Sequence, residues 1–98
     1  MEMAIAIGII LGCCALGAGI CMGIGAVGPG IGEGNAVSKA CEAIGRQPES
    51  KGAVTSTMIM GCAIAETTGI YSLVVAILLI FVAPNLMINI LKEAVGLL

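Results

Sequence analysis

The sequence predicts an all-α membrane protein built as a two-helix transmembrane hairpin. Residues 3–32 carry no charge, and residues 52–91 carry only Glu66. Each run exceeds the roughly 20 apolar residues that a helix needs to cross a bilayer core. The whole chain is 59% hydrophobic and 10% charged, with a mean hydropathy of +1.16, whereas soluble proteins are about 25% charged. Helix is expected because a bare strand leaves its backbone groups unpaired in lipid.

A single hairpin accounts for residues 1–98. The first helix is predicted over about 3–45, the loop over about 46–49 and the second helix over about 50–83, because Gly45 and Pro48 interrupt helix between the two apolar runs. Pro29 predicts a local kink, since it removes one helical hydrogen bond. Pro84 is expected to bend or end the second helix, which leaves residues 84–98 as an extension that is either further helix or a surface segment.

The charges around the loop predict its side of the membrane. Lys39, Arg46 and Lys51 are three of the four basic residues, and only Lys92 lies at the other end of the hairpin. Short loops that carry an excess of Lys and Arg stay on the cytoplasmic side. The loop is therefore predicted to be cytoplasmic and both termini to lie outside.

Glycine is concentrated in the first helix. Placed at about 100° per residue, the glycines gather on two opposite faces. Glycine inside a helix costs about 1 kcal/mol relative to Ala, and small residues in membranes allow helices to approach closely. Identical helices that touch on both sides satisfy this pattern and close into a ring; small-residue packing within one hairpin is the alternative. Ten of the fifteen glycines take part, at positions 8, 12, 17, 19, 23, 25, 28, 30, 32 and 34.

Two carboxylic acids interrupt this apolar chain. Glu66 lies about 15 residues from the charged loop, and Glu33 lies about 13 residues from Arg46, so each is roughly 20 Å deep along a helix. Folding the hairpin brings the two acids to comparable depth. Because a charge at the bilayer centre is costly, an acid there indicates a proton or ion path. Two neighbouring carboxylates require a proton or a cation between them.

Further oxygen atoms accompany Glu66. Ile64, Thr67 and Tyr71 are spaced i, i+3 and i+7, which is one helical stripe. This stripe places the hydroxyl groups of Thr67 and Tyr71 on one side, next to Glu66. A hard cation takes several oxygen ligands, whereas a proton needs only one carboxylate, so the chemistry favours Na⁺.

Several other functions are disfavoured. The segment GIGAVG at residues 23–28 matches a dinucleotide-binding pattern, but it lies within an apolar span rather than between a strand and a helix. The chain has no His, and its five cysteines show no metal-type spacing. Its net charge of −2 disfavours nucleic-acid binding. We therefore expect no bound cofactor and no catalytic site.

The motifs resemble those of the proteolipid, or c-ring component, of F-type ATP synthases, over residues 1 to about 84. The resemblance rests on GPGIGEGNAVSKACEAIGRQPE at the end of the first helix, which includes the RQP loop, and on TMIMGCAIAETTGIYSL around Glu66. This family forms a ring of identical hairpins in the bacterial cell membrane, with first helices inside. The glycines at 28, 30, 32 and 34 would then pack against neighbouring copies.

The resemblance also implies a rotary mechanism and its partners. Glu66 would take up an ion from one half-channel of the a subunit and release it through the other, with a stator Arg attracting the emptied Glu66. The loop residues Arg46, Gln47 and Pro48 would contact the central stalk, formed by the γ and ε subunits. ATP would be made elsewhere in the complex, and the outer helices would contact membrane lipid.

Members of the family that bind Na⁺ share a ligand set, and this chain is similar to them at each position. The ligands correspond here to Glu33, the backbone carbonyl of Ile64, Glu66 and Thr67, with Tyr71 beside them. Glu33, where Gln is also found, gives a two-carboxylate version, in which one acid, Glu33, is expected to stay protonated beside bound Na⁺. An H⁺-coupled ring component is the alternative, as is a vacuolar-type proteolipid, although those usually carry duplicated hairpins.

Overall fold

The computed structural model describes residues 1–96 and is helical almost throughout. Helix α1 spans Glu2–Gly25, α2 spans Val27–Arg46, α3 spans Lys51–Ile77 and α4 spans Ala83–Ala94. A short 3₁₀ turn, Pro48–Ser50, precedes α3, and a π-helical segment, Leu78–Val82, joins α3 to α4. The chain thus contains two long apolar helical stretches, Glu2–Arg46 and Pro48–Ala94, which confirms the predicted helical hairpin.

Both stretches are longer than a bilayer requires. Their 45 and 47 residues correspond to roughly 70 Å of helix, more than twice the hydrocarbon thickness of about 30 Å. Only 11% of the most apolar window in each stretch is buried within the chain. Most of the large aliphatic side chains are therefore exposed on the outside of the hairpin. Such an apolar surface suits contact with lipid or with other membrane helices.

The break between α1 and α2 has a direct cause in the sequence. Pro29 has no N–H to donate to the carbonyl of Gly25, so the ladder is interrupted just where α1 ends. Ala26 lies in a turn between the helices, and its carbonyl accepts the N–H of Gly30 at 3.0 Å. The predicted disturbance near Pro29 is thus found one turn before the proline.

The connection between the two stretches is very short. Gln47 adopts an extended conformation with φ −135° and ψ 82°, as residues before proline commonly do. Its N–H donates to the carbonyl of Ala43 at 2.9 Å, and its own carbonyl accepts the N–H and the hydroxyl of Ser50. Pro48 then opens the next turn, a position where its missing N–H costs nothing.

The second stretch does not end at Pro84. The sequence predicted the end of this helix near residue 83, but the chain remains helical to Ala94. Pro84 cannot donate to the carbonyl four residues earlier, and the preceding turn widens, so that Ala83 donates to the carbonyl of Leu78 in an i→i+5 bond. Such a π-bulge lets a helix absorb a local defect. Of the two structures considered for the extension, residues 84–94 therefore adopt further helix, while Leu97 and Leu98 lie outside the described residues.

The chain divides into two compact units. One unit pairs Met1–Gly23 with the chain from Ser72 onward, and its buried residues are small or compact: Cys14, Ala18, Ala76 and Pro84. Within it, a methyl group of Leu79 lies 3.6 Å from the position of a Cβ on Gly17, and the Cys21 thiol donates to the carbonyl of Ser72 at 3.4 Å. Small residues thus let the paired segments approach closely.

The second unit, Ile24–Tyr71, contains the loop and both membrane-depth acids predicted from the sequence. Pro29, Ala40 and Gly69 are its buried residues. Near the loop, Glu42 accepts hydrogen bonds from Lys39 at 3.2 Å and from Arg46 at 2.6 Å. These i,i+3 and i,i+4 pairs stabilise the last turns of α2.

Candidate ion-binding site

The carboxyl groups of Glu33 and Glu66 are neighbours, one on α2 and the other on α3. The sequence predicted that the two acids lie at the same depth. The fold of the second unit also places them side by side. Glu33 is half-buried, and its Oε1 atom is buried with no hydrogen-bond donor among residues 1–96. Because ionised carboxylates only accept hydrogen bonds, two facing carboxylates satisfy each other only when one carries a proton or a cation lies between them.

The Thr67 hydroxyl and the Ile64 carbonyl form a second pair of oxygens. The hydroxyl donates to this carbonyl at 2.7 Å, which fixes its proton and leaves its lone pairs free to accept or to coordinate. Thr67 is exposed, and Ile64 is 67% exposed. Both residues therefore lie on the exposed surface of α3, and the hydrogen bond holds the two oxygens next to one another.

The two pairs of oxygens point in different directions. Glu66 and Thr67 are consecutive residues, so their side chains diverge by about 100° around the helix axis. Both residues are exposed. The Glu66 carboxyl group lies beside Gly69 and near Glu33, whereas the Thr67 hydroxyl lies against the Ile64 carbonyl. The structure thus brings Glu33 to Glu66 and Ile64 to Thr67, as two separate pairs of oxygen-bearing groups.

Tyr71 lies one turn beyond Thr67 along the same stripe. Its side chain is 69% exposed, and its hydroxyl forms no hydrogen bond within the part of the chain that the structure describes. The Tyr71 ring is therefore available to a surrounding partner and does not cover the carboxyl pair from within the chain.

Gly69 is a residue of the site that the sequence reasoning missed. It is buried, and the position that a Cβ would occupy on it lies 3.1 Å from Oε1 of Glu66 and 3.8 Å from Cγ of Pro29. The Glu66 carboxyl group therefore rests in a notch formed by Gly69 and Pro29. Only the spacing of Glu66 and Gly69, i and i+3 on one helix, could have suggested this contact.

The remaining predicted residues are exposed. Gly28, Gly30, Gly32 and Gly34 are all exposed, and for each of them no described atom outside the local helix lies within 4 Å of a Cβ position. These glycines therefore do not serve contacts inside the hairpin. The loop residues Arg46, Gln47 and Pro48 are also exposed.

Comparison with known proteins identifies the family. Residues 16–79 match the family model of the ATP synthase C subunit. Similar proteins include the ATP synthase c subunit of Alkaliphilus oremlandii, 55% identical over 84 residues that cover 86% of this chain and 94% of the relative. The corresponding protein of Natranaerobius thermophilus is 50% identical over 76 residues, which cover 78% of this chain and 87% of the relative. The chain belongs to the ATP synthase C-subunit family, whose members are non-catalytic, ion-translocating rotor components of the membrane sector.

Proposed function

We propose that this chain carries Na⁺ on Glu66 as one member of a ring of identical hairpins. The observation that carries this proposal is the pair of neighbouring carboxyl groups, Glu33 and Glu66, of which Glu66 is the only charged residue between positions 52 and 91. An unpaired charge at this depth is costly. A bound cation that alternates with a proton neutralises the pair in each state and makes the hairpin an ion carrier.

The supply of oxygen atoms supports Na⁺ rather than a proton as the transported ion. Besides the carboxyl pair, the Ile64 carbonyl and the Thr67 hydroxyl lie together at the same level of α3. A hard cation gains from each additional oxygen ligand, whereas proton uptake requires only the carboxylate. The Thr67 hydroxyl donates its proton to Ile64, so its oxygen is already oriented to act as a ligand.

The divergence of these two pairs of oxygen-bearing groups supports a shared site between neighbouring copies. Because Glu66 and Thr67 point about 100° apart, one ion cannot readily touch both on the same chain. In a ring, the exposed Ile64 and Thr67 of one copy would complete the carboxyl pair of the next. The Tyr71 side chain, exposed beside Thr67, would then cover the bound ion from the same neighbour.

The exposed glycines support the ring itself. Gly28, Gly30, Gly32 and Gly34 leave a smooth surface on α2 that no part of residues 1–96 fills. Close approach of identical helices uses such surfaces in membranes. A contact repeated from copy to copy closes as a ring when its rotation allows.

The proposed cycle follows from the exchange of ions at Glu66. One half-channel of the a subunit would load Na⁺, rotation would carry the neutral site through lipid, and the second half-channel would release the ion. The stator Arg of the a subunit would attract the emptied, charged Glu66. The exposed loop, Arg46 to Pro48, would lie in the cytoplasm and transmit rotation to the γ and ε subunits of the central stalk.

Carbodiimide labelling tests the ion. The reagent modifies a protonated carboxyl group, so Na⁺ bound at Glu66 should slow the labelling of purified rings in detergent. K⁺ at the same concentration and pH is the matched control for ionic strength and should protect less. Equal labelling in Na⁺ and in K⁺ would contradict the Na⁺ assignment and favour H⁺ coupling through the same carboxyl group.

A substitution tests whether Glu66 carries the ion at all. Glu66→Gln keeps the size and hydrogen-bonding capacity of the side chain but removes its ionisation. We expect rings of this variant to assemble and ion-driven ATP synthesis to stop. Intact coupling in assembled Glu66→Gln rings would indicate a structural hairpin that moves no ion.

A further inference from the structure

We infer that Gly69 is a positioning residue for the ion-carrying carboxyl group, because its missing Cβ creates the notch that holds Glu66. The inference rests on the proposed role of Glu66. Its geometric basis is a single close approach, in which Oε1 of Glu66 lies 3.1 Å from the Cβ position of residue 69, with Cδ at 3.7 Å. Real Cβ atoms seldom have neighbours as close as this oxygen, so a Cβ at position 69 requires the carboxyl group to shift by a few tenths of an ångström.

Helix packing within the hairpin does not account for this glycine. The nearest atom of the facing helix, Cγ of Pro29, lies 3.8 Å from the same Cβ position, which is an ordinary van der Waals contact. An alanine at position 69 would therefore fit against Pro29 without moving either helix. The carboxyl group is the only part of the described chain that needs residue 69 to be glycine.

The position of the Glu66 carboxyl group adds a second reason. A Cβ on residue 69 would lean back toward the turn that contains Glu66, and the carboxyl group lies there, near the carboxyl group of Glu33. An alanine at position 69 would therefore press on the carboxyl group itself and shift it relative to the acid with which it can share a proton or a cation.

The test compares Gly69→Ala with Gly61→Ala in purified rings. Gly61 lies on the same helix, and no atom of the described chain outside its local helix lies within 4 Å of its Cβ position, so both variants gain the same intrinsic helix propensity. For Gly69→Ala we expect Na⁺-free carbodiimide labelling of Glu66 to become faster. The Na⁺ concentration for half-protection should rise about two- to tenfold, the range that corresponds to a side chain forced from its rotamer. Gly61→Ala should match the wild type in both measurements.

Failure of the inference and failure of the proposed function give different results. If Na⁺ does not protect wild-type Glu66, the Na⁺ assignment fails. The labelling rates of Gly69→Ala and Gly61→Ala without Na⁺ then still decide the role of Gly69. If wild-type rings are protected and Gly69→Ala behaves like Gly61→Ala, the positioning role is wrong and the Na⁺ proposal stands.

A shorter acid separates positioning from packing. In a Glu66→Asp background the carboxyl group is one methylene shorter and does not extend over residue 69. Adding Gly69→Ala should then leave the labelling rate of Asp at position 66 unchanged, since the clash is gone. An equal effect of Gly69→Ala in both backgrounds would show that the glycine serves packing and would overturn the inference.

Mixed rings cover the case in which Gly69→Ala rings fail to assemble. Coexpression with wild-type chains places both kinds of hairpin in one ring, and the variant peptide is heavier by one methylene, so mass spectrometry reads the labelling of each separately. We expect faster labelling of the variant hairpin. A variant that is excluded even from mixed rings would identify Gly69 as a packing residue and overturn the positioning role.

Discussion

Replacing Thr67 by Val tests whether the exposed hydroxyl of α3 is an ion ligand. Valine keeps the shape of the side chain and removes the oxygen that now bonds the Ile64 carbonyl at 2.7 Å. An interaction between a polar group and a charge is worth about 1.5–3 kcal/mol. We therefore expect the Na⁺ concentration that half-protects Glu66 from carbodiimide to rise about 10- to 150-fold.

Thr68 supplies a matched control for this substitution. Its hydroxyl makes the same kind of bond, to the carbonyl of Ala65 at 3.1 Å, but it lies about 100° further around the helix. Thr68→Val therefore removes an equivalent backbone contact without removing the proposed ligand. The Na⁺ concentration that half-protects Glu66 should stay within about twofold of the wild-type value. Thr67 is not a ligand if Thr67→Val leaves the Na⁺ concentration for half-protection unchanged, or if Thr68→Val raises that concentration by as much.

Three further experiments test other parts of the structure. Glu33→Gln should retain Na⁺ protection of Glu66, because the amide oxygen remains a ligand. Glu33→Leu should raise the Na⁺ concentration for half-protection at least about tenfold. Equal behaviour of the two variants would contradict a ligand role for Glu33. Gly32→Leu should abolish detergent-resistant rings on gels by filling the surface between copies, while Ile31→Leu at the adjacent exposed position should leave them intact. Glu42→Gln should lower the free energy of unfolding in detergent by less than about 1 kcal/mol, because its ion pairs with Lys39 and Arg46 are exposed; a larger loss would indicate that these pairs are held by more than solvent-screened attraction.

The fold was predictable because the bilayer restricts the choice. Two uncharged runs separated by a charged, proline-containing loop leave few structures other than a helical hairpin. The behaviour of Pro84 was not predictable in the same way. Proline rules forecast a bend or an end to the helix, and whether a widened turn such as Leu78–Val82 absorbs the defect depends on packing around it.

The candidate site was predictable in its chemistry more than in its geometry. Glu33 and Glu66 stand out because charge is costly in an apolar span, and their equal depth follows from counting residues to the loop. The notch at Gly69 was hidden, since a glycine in a membrane helix is expected to serve helix packing. Only the position of the Glu66 carboxyl group in the structure shows that this glycine lies against it.

The proton count of Na⁺ binding tests the charge state of the two-carboxylate site. One Na⁺ between two ionised acids would leave a net charge of −1 in the membrane, which is unfavourable; with Glu33 protonated the loaded site is neutral. At a pH where carbodiimide still labels Glu66, Na⁺ added to weakly buffered rings should therefore release about one proton per ion bound. Glu33→Gln, which holds no exchangeable carboxyl proton at position 33, should release the same number. Release of about two protons by the wild type and one by Glu33→Gln would show that both acids ionise around Na⁺, so that a further cation or the neighbouring copy must neutralise the loaded site.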